Sequence, residues 1–409
     1  MNIRERANEN NIITHYDGLE DIDLIENGEL REGTDDNYDA FYRFYHQQGH
    51  TLAEYAELMD WEEYIRITVM NQYFNNLDYP GNNNVMWRPR AEGGKWRWIA
   101  KDVDYSMGLY GGNAGSSGGY DHQIIAQWYN PDDWNLHQGA NFSITSGSTL
   151  LFRRLMEDPD FQREFIDRFS IFMGDFLNEK GIRAIWDPMY EMLKGEWKRH
   201  RDYVYDNPWW PNYDDELSNA RTWVSRRTDE MYKQLGKRFN VGYPTPMTIN
   251  KSVSDAASLT ITFNGVPLTK GVFDGKFFAG RSITLEAHAP DGKVVKGWEI
   301  VTKSSSGTDS RQIDGERCSF PMPTCANLTV NAILGSSSGI DTLSEPTWTW
   351  QRNGDQIVLY GVPAGTKVLL YDLRGVLQRS VVSDGSDLIL PVSSRQINVL
   401  RVGEKAIKL

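Results

Sequence analysis

At Tyr243-Pro-Thr-Pro246 the hydrophobic period of the chain changes from about 3.6 residues to about 2, and that change limits the folds open to it. Upstream, large apolar residues recur at helical spacing. Downstream, they alternate with polar ones between Gly and Asp turns, as in Leu259-Thr-Ile-Thr-Phe263, Ser282-Ile-Thr-Leu-Glu286 and Leu328-Thr-Val-Asn-Ala332. Helices and strands are therefore segregated along the chain, which predicts an α+β protein rather than a repeating βαβ one. With 409 residues, two or three domains are expected.

Residues 1–243 form the first expected domain. Its acidic stretch from Asp17 to Asp39 reads as solvated surface with short polar turns. From Thr51 to Asn76 one side carries Leu52, Tyr55, Leu58, Trp61, Ile65 and Val69, which predicts one helix ending in a polar turn. Three more helices are expected. One starts at Asp158-Pro159, with Asp as N-cap and Pro in the first turn, and the others span 182–205 and 214–239. Their apolar stripes, including Ile185, Met189 and Leu193, read as core. Residues 247–334 read as a β-sandwich or β-grasp module, 335–342 as a flexible linker around Gly335-Ser-Ser-Ser-Gly339, and 343–409 as a second small all-β domain.

A formal net charge of -13 argues against a nucleic-acid-binding surface. No apolar run is long enough for a transmembrane helix. The polar start Asn2-Ile-Arg-Glu-Arg6 carries no signal-peptide pattern and reads as mid-strand, so the chain is expected to be a piece of a longer precursor. Cys318 and Cys325 flank a Pro-containing turn, which fits either a hairpin-closing disulfide of an exported protein or two free thiols.

Two motifs carry the chemistry. Asp78-Tyr-Pro-Gly-Asn-Asn83 sets a carboxylate five residues ahead of an Asn, the spacing a kinase catalytic loop uses for its base and its metal-binding amide. Asp102-Val-Asp104-Tyr-Ser-Met-Gly108 lies where the strand Lys95-Trp-Arg-Trp-Ile-Ala100 runs out, a place where hard oxygen ligands for Mg²⁺ can be held. Together they suggest phosphoryl transfer. Each has a plainer reading. Asp78 can be a turn-former, and the neighbouring Asn residues left-handed turn positions. Asp102 and Asp104, alternating along a strand, would share a face and need either a cation or an Arg between them.

With these motifs in place, residues 1–243 resemble the spore-coat protein H (CotH) kinase family. The likeness is carried by Asn2–Glu9, Tyr73–Asn83, Trp96–Gly108 and Leu150-Leu-Phe-Arg-Arg154. The resemblance implies an atypical protein kinase-like domain, mostly its helical C-lobe with the amino-terminal lobe incomplete, followed by two small all-β domains. It implies transfer of phosphate from Mg-ATP to a protein hydroxyl. Asp78 would be the catalytic carboxylate, Asn83 and Asp102 would ligate Mg²⁺, and Asp104 would be a second ligand or an orienting group. Glu5 and Arg6 would belong to the nucleotide ion-pair network, although charged alternation on an edge strand explains them equally. The His-Arg that precedes the base in ordinary kinases is replaced by Asn76-Leu77.

Residues 247–334 resemble repeat-type modules of bacterial surface proteins, and the last segment resembles a type IX secretion sorting domain. That implies a Bacteroidetes-type source, a secreted or cell-surface location and the secretion machinery as a partner. Two other functions stay open. One is a catalytically silent surface or adhesion protein, in which the aromatic stretch Asn207–Tyr213 either packs against the helices, the plainer reading, or binds a glycan. The other is a glycosyltransferase using Asp102-Val-Asp104 as a metal-binding Asp-x-Asp, against which the lack of βαβ alternation counts.

Overall fold

A computed structural model describes residues 8–16, 19–109, 118–136, 143–204, 213–251, 259–290, 293–336, 348–372, 376–392, 398–403 and 405–408. Glu5, Arg6, most of the Gly-rich tract, the Trp-Trp stretch and the linker from 337 lie outside these residues. Among the described residues the fold is mixed α+β.

Helix α1 (Glu9–His15) is capped by Asn8 and followed by strands β1 (Ile22–Glu26) and β2 (Glu29–Glu32). The turn between them is Asn27-Gly28, with φ of 54° and 81°, the type I′ geometry whose twist suits two paired strands. This corrects the reading of 17–39 as solvated turns. Ile22, Asp23, Leu24 and Ile25 are all buried, and Asp23 accepts hydrogen bonds from Thr34 N and Asn37 Nδ2.

Helix α2 (Asp36–His46) leads to α3 (Leu52–Leu58) and α4 (Trp61–Tyr73), so the single helix expected over 51–76 is two. The break has a clear cause. Trp96 N–H donates to Leu58 O, Asp60 N–H donates to Trp96 O, and the Asp60 side chain caps α4 at Glu63 N. Apolar spacing passes across the break unchanged, which hid it. Strands β3 (Val85–Pro89) and β4 (Arg97–Ile99) complete a sheet of order β2-β1-β3-β4.

Helices α5 (Ile124–Tyr129), α6 (Leu150–Leu155), α7 (Pro159–Asp175), α8 (Glu179–Val204) and α9 (Tyr213–Phe239) follow. Asp158 caps α7 through Asp160 N and Phe161 N, as its sequence predicts. Phe161, Phe165, Phe169 and Phe172 of α7 are buried. The stripe of α8 departs from the core assignment: Ile185 is 69% exposed, Met189 52% and Leu193 38%.

Strands β5 (Pro244–Asn250), β6 (Thr260–Phe263), β7 (Val266–Pro267), β8 (Phe273–Phe278), β9 (Ser282–His288), β10 (Lys293–Ser304), β11 (Gly307–Asp314), β12 (Arg317–Pro321) and β13 (Asn327–Ser336) make two sheets. Their orders are β11-β10-β13-β5-β8 and β12-β9-β6-β7, with Phe263, Phe277, Leu285 and Trp298 in a shared core, so the module is a sandwich. The two cysteines are free thiols. Cys318, on β12, is buried and its thiol is pushed up to about 11 by burial, while Cys325 is half-buried.

This sandwich continues the helical core. A Cβ on Gly174 of α7 would sit 2.1 Å from the Phe273 ring of β8, so only glycine permits that approach. Tyr232 of α9 exchanges hydrogen bonds with the Lys276 backbone at 3.0 and 3.1 Å. Asp167 and Arg281 form a buried ion pair, and burial pushes the Asp167 carboxyl above its ordinary range despite that partner. Compact units accordingly comprise 1–290 with 295–334, and 335–409 with 291–294.

In the second unit, β14 (Thr349–Asn353), β15 (Gln356–Tyr360), β16 (Lys367–Asp372), β17 (Leu377–Val382), β18 (Leu388–Pro391), β19 (Asn398–Val402) and β20 (Lys405–Lys408) form sheets β14-β15-β18 and β17-β16-β19-β20. Ile357, Leu359, Val368, Leu370 and Leu400 are among the residues that fill its core. Among the described residues no helix is long and apolar enough to cross a membrane.

Candidate functional site

Helix α4 ends in a Schellman motif. Asn76 N–H donates to Asn71 O at 2.8 Å and Asn75 N–H to Gln72 O at 3.2 Å, with Asn75 in the left-handed region at φ 54°. The last carbonyls of α4 meet a buried cation. Arg227 of α9 donates to Gln72 O and Tyr73 O at 2.7 and 2.8 Å, and to Tyr120 O and His122 O at 2.6 and 3.2 Å. Burial presses this guanidinium below its ordinary value, and four carbonyl acceptors, two of them at the C-terminus of α4, favour its charged form. His122 Nδ1 lies 2.8 Å from Asn75 Oδ1, so the same bracket reaches the first turn residue.

The turn beyond is organised around Asp78. Asn76 Oδ1 accepts from Asp78 N at 3.0 Å and Asn76 Nδ2 donates to Asn71 Oδ1 at 2.8 Å. Asp78 Oδ2 accepts from the Asn82 and Asn83 side-chain amides, both at 2.8 Å, and Oδ1 accepts from Ser143 Oγ at 3.1 Å. The predicted pair Asp78 and Asn83 is thus in direct contact. The Tyr79-Pro80 peptide is cis, and a Cβ on Gly81 would fall 2.1 Å from Ser143 O, so glycine is required where the turn meets that segment. Asn27 of the β1–β2 turn also holds it, donating to Asn82 Oδ1 and accepting from Asn84 N, each at 3.0 Å.

The second motif lies against the first. Leu77 N–H donates to Tyr105 O at 3.1 Å, and Met107 N–H to Phe74 O at 2.9 Å. Its local conformation corrects the sequence reading. Strand β4 stops at Ile99, and Asp102 has φ 48°, so Asp102 and Asp104 do not alternate along a strand. The shared-face argument for a bridging cation therefore lapses. Asp102 is half-buried and Asp104 exposed. Lys101 forms an ion pair with Glu26 of β1, which fixes the chain one residue before Asp102. Its hydrogen bond holds the Glu26 carboxyl below the ordinary carboxylate range.

A cavity of about 220 Å³ adjoins the turn, with Tyr38, Tyr45, Tyr64 and Tyr79 among its walls and Met86 and Trp98 beside them. Burial pushes the Tyr64 and Tyr79 phenols up, keeping them neutral donors. Among the described residues no group of three or more His, Cys, Asp or Glu side chains could hold a metal ion. A protein-only metal cage is thus missing there, although Mg²⁺ commonly takes one or two carboxylates and completes its shell with phosphates and water. Sequence reasoning missed Asn27, His122, Ser143 and Arg227. Only Asn27 left a local signal, the Asn-Gly hairpin dipeptide.

A helix that ends in a carboxylate–amide turn, braced against an acidic loop beyond a strand, gives this mixed α+β fold a polar candidate site. The chain belongs to the CotH kinase protein family, whose model matches residues 11–231, more than half of it. Asp78, Asn83, Asp102 and Asp104 fall inside that match; Glu5 and Arg6 precede it. No curated protein matches the chain. Among solved structures, one described as "Biofilm associated protein - BSP domain" is 13% identical over 40% of this chain and 27% of that one, with a TM-score of 0.12, too loose a superposition to define a shared fold.

Proposed function

We propose that this protein is an exported CotH-like kinase that transfers phosphate from Mg-ATP to protein hydroxyls. The observation that carries the reading is the pair of backbone hydrogen bonds, Leu77 to Tyr105 and Met107 to Phe74, which hold the two motifs side by side. Bound Mg-ATP would supply the transferable γ-phosphoryl group and offset its charge. Asn83 donates to Asp78 through Nδ2, which leaves its harder Oδ1 as a ligand, and Asp102 is the partner carboxylate. Asp104, being exposed, suits an outer role. Asp78, fixed by three donors, orients the acceptor hydroxyl and takes its proton. Glu5 and Arg6 remain proposed nucleotide contacts, and the tyrosine-walled cavity is a suitable seat for a planar ring.

The same saturation of Asp78 supports a second reading, a catalytically silent surface protein on this fold. Calorimetric titration with Mg-ATP, beside γ-phosphate transfer to a protein acceptor, separates the two. Asp102→Ala should abolish metal-dependent binding. Asp78→Asn should keep binding and lose transfer by roughly a hundredfold or more. Binding without transfer in the wild type would favour the silent reading, and no binding at all would sink the kinase reading for this chain. We further propose that residues 343–409 address the protein to a type IX secretion route, with 247–334 as a surface-type module. Unchanged surface display after deleting 343–409 would end that idea.

A further inference from the structure

The exposed stripe of α8 does not face open water evenly. Ile185, Met189 and Leu193 line a groove of about 550 Å³ closed on its other sides by Leu217 of α9 and by Phe74 and Met107. Those last two residues are the ones joined by the Met107–Phe74 hydrogen bond, so the groove starts at the candidate site and runs outward along the helix pair. Exposed apolar side chains gathered along one groove, rather than scattered singly, mark a candidate interaction surface.

Charge narrows the occupant. Among the described residues Glu216, half-buried, is the one charged side chain that lines the groove, and no described basic residue forms an ion pair with it. Three described cations of the same helix pair are engaged elsewhere: Arg183 with Glu179 and Asp187, Lys194 with Glu191, Arg221 with Asp187. An anionic membrane surface is disfavoured by the net charge of -13 and by an acidic rather than a basic side chain in the described lining. A two-fold pairing of copies over this patch would bury Glu216 of both copies with no cation from the described lining to meet it, which the cost of desolvating an unpaired carboxylate opposes.

We propose that the groove docks the protein substrate itself, through an amphipathic segment that lays two or three large apolar side chains along α8 and sets a Lys or Arg against Glu216. The volume suits such anchors, within the roughly 300–1,000 Å³ common for binding pockets. A helix-in-groove contact of this kind would raise the local concentration of an acceptor hydroxyl beside Asp78. The assignment of the occupant as substrate rests on the kinase reading; the binding surface does not.

The test uses the full chain and a fluorescein-labelled amphipathic peptide bearing Leu at helical spacing, Lys on one flank and one Ser. Anisotropy should report saturable binding that weakens about tenfold or more in Met189→Glu, a truncation-scale loss for an apolar anchor. Glu216→Lys should weaken the Lys peptide and restore binding of a version with Glu in place of Lys. Melting temperature and Mg-ATP titration should be unchanged in both variants. Indifference of binding to Met189→Glu, or no binding by the wild type, would overturn the proposal. So would a concentration-dependent dimer that Met189→Glu dissolves, which assigns the groove to a second copy, or Met189-dependent binding of neutral lipid vesicles without peptide binding. Groove-dependent binding with no phosphate reaching the Ser would support the docking surface while removing the transfer reading.

Discussion

Helices α7 and α8 carry the same kind of sequence pattern and meet opposite fates. In α7 the apolar positions are sealed by β8 and by neighbouring helices, to the point that Gly174 touches the Phe273 ring. In α8 the equivalent stripe stays open, with Ile185 69% exposed. The lesson is that periodicity locates an apolar face but says nothing of what covers it. What covers α7 comes from a strand about a hundred residues later, and no local signal announces it.

The contrast can be broken most directly in α7. Phe169→Ala should cost about 3–5 kcal/mol in denaturant unfolding, because it opens a cavity in a packed core. Arg281→Ala should cost about 3 kcal/mol by leaving Asp167 buried without its cation, and Arg281→Met together with Asp167→Leu should recover much of that loss. A loss under 1 kcal/mol in either single variant would mean that the sandwich does not brace α7 as described.

Smaller effects belong to the site and to α8. Lys101→Ala should destabilise by only about 0.5 kcal/mol, since the pair is partly solvated, yet weaken Mg-ATP binding several-fold by loosening Asp102. The Glu26 carboxyl is depressed in the folded state, so its contribution is present above the ordinary value of 4.5 and is lost as pH falls through the lowered folded value. Acid unfolding of wild type and Lys101→Ala should therefore converge at low pH; curves that stay parallel would reject the link. Ile185→Ser should change stability by less than about 0.5 kcal/mol, and a loss as large as that of Phe169→Ala would show α8 to be covered after all. Last, a thiol reagent at pH 8 should label Cys325 ahead of Cys318, whose thiol stays protonated up to about 11. Equal labelling rates would contradict the burial of β12.

Much of this architecture could be read from residues alone. The Asp158-Pro159 start and Phe spacing of α7, the two long helices after it and the change to strands near Tyr243 match the structure, because each rests on local geometry. Asp78 and Asn83 were legible by spacing, and they touch. Features that depend on partners elsewhere in the chain were not. Trp96 splits the helix at Met59-Asp60, Arg227 binds the end of α4 from more than 150 positions away, and Ser143 completes the Asp78 shell. Asp102 was misplaced on a strand because alternation by two looks alike in a strand and in a turn whose first residue is left-handed. The β1–β2 hairpin was missed despite its Asn27-Gly28 dipeptide, since charge obscured four buried positions.

The junction between helices and sandwich has a consequence for heredity as well as for folding. The family likeness stops at residue 231, part-way along α9 and one position before the Tyr232 hydroxyl reaches Lys276. The family match is therefore shorter than the compact unit that contains it, which extends to 334. A gene cut at the family's edge would deliver a severed helix and a bare aromatic wall. Transplanting residues 11–231 alone would leave Gly174 and the Asp167 carboxylate without the Phe273 ring and the Arg281 guanidinium that meet them here.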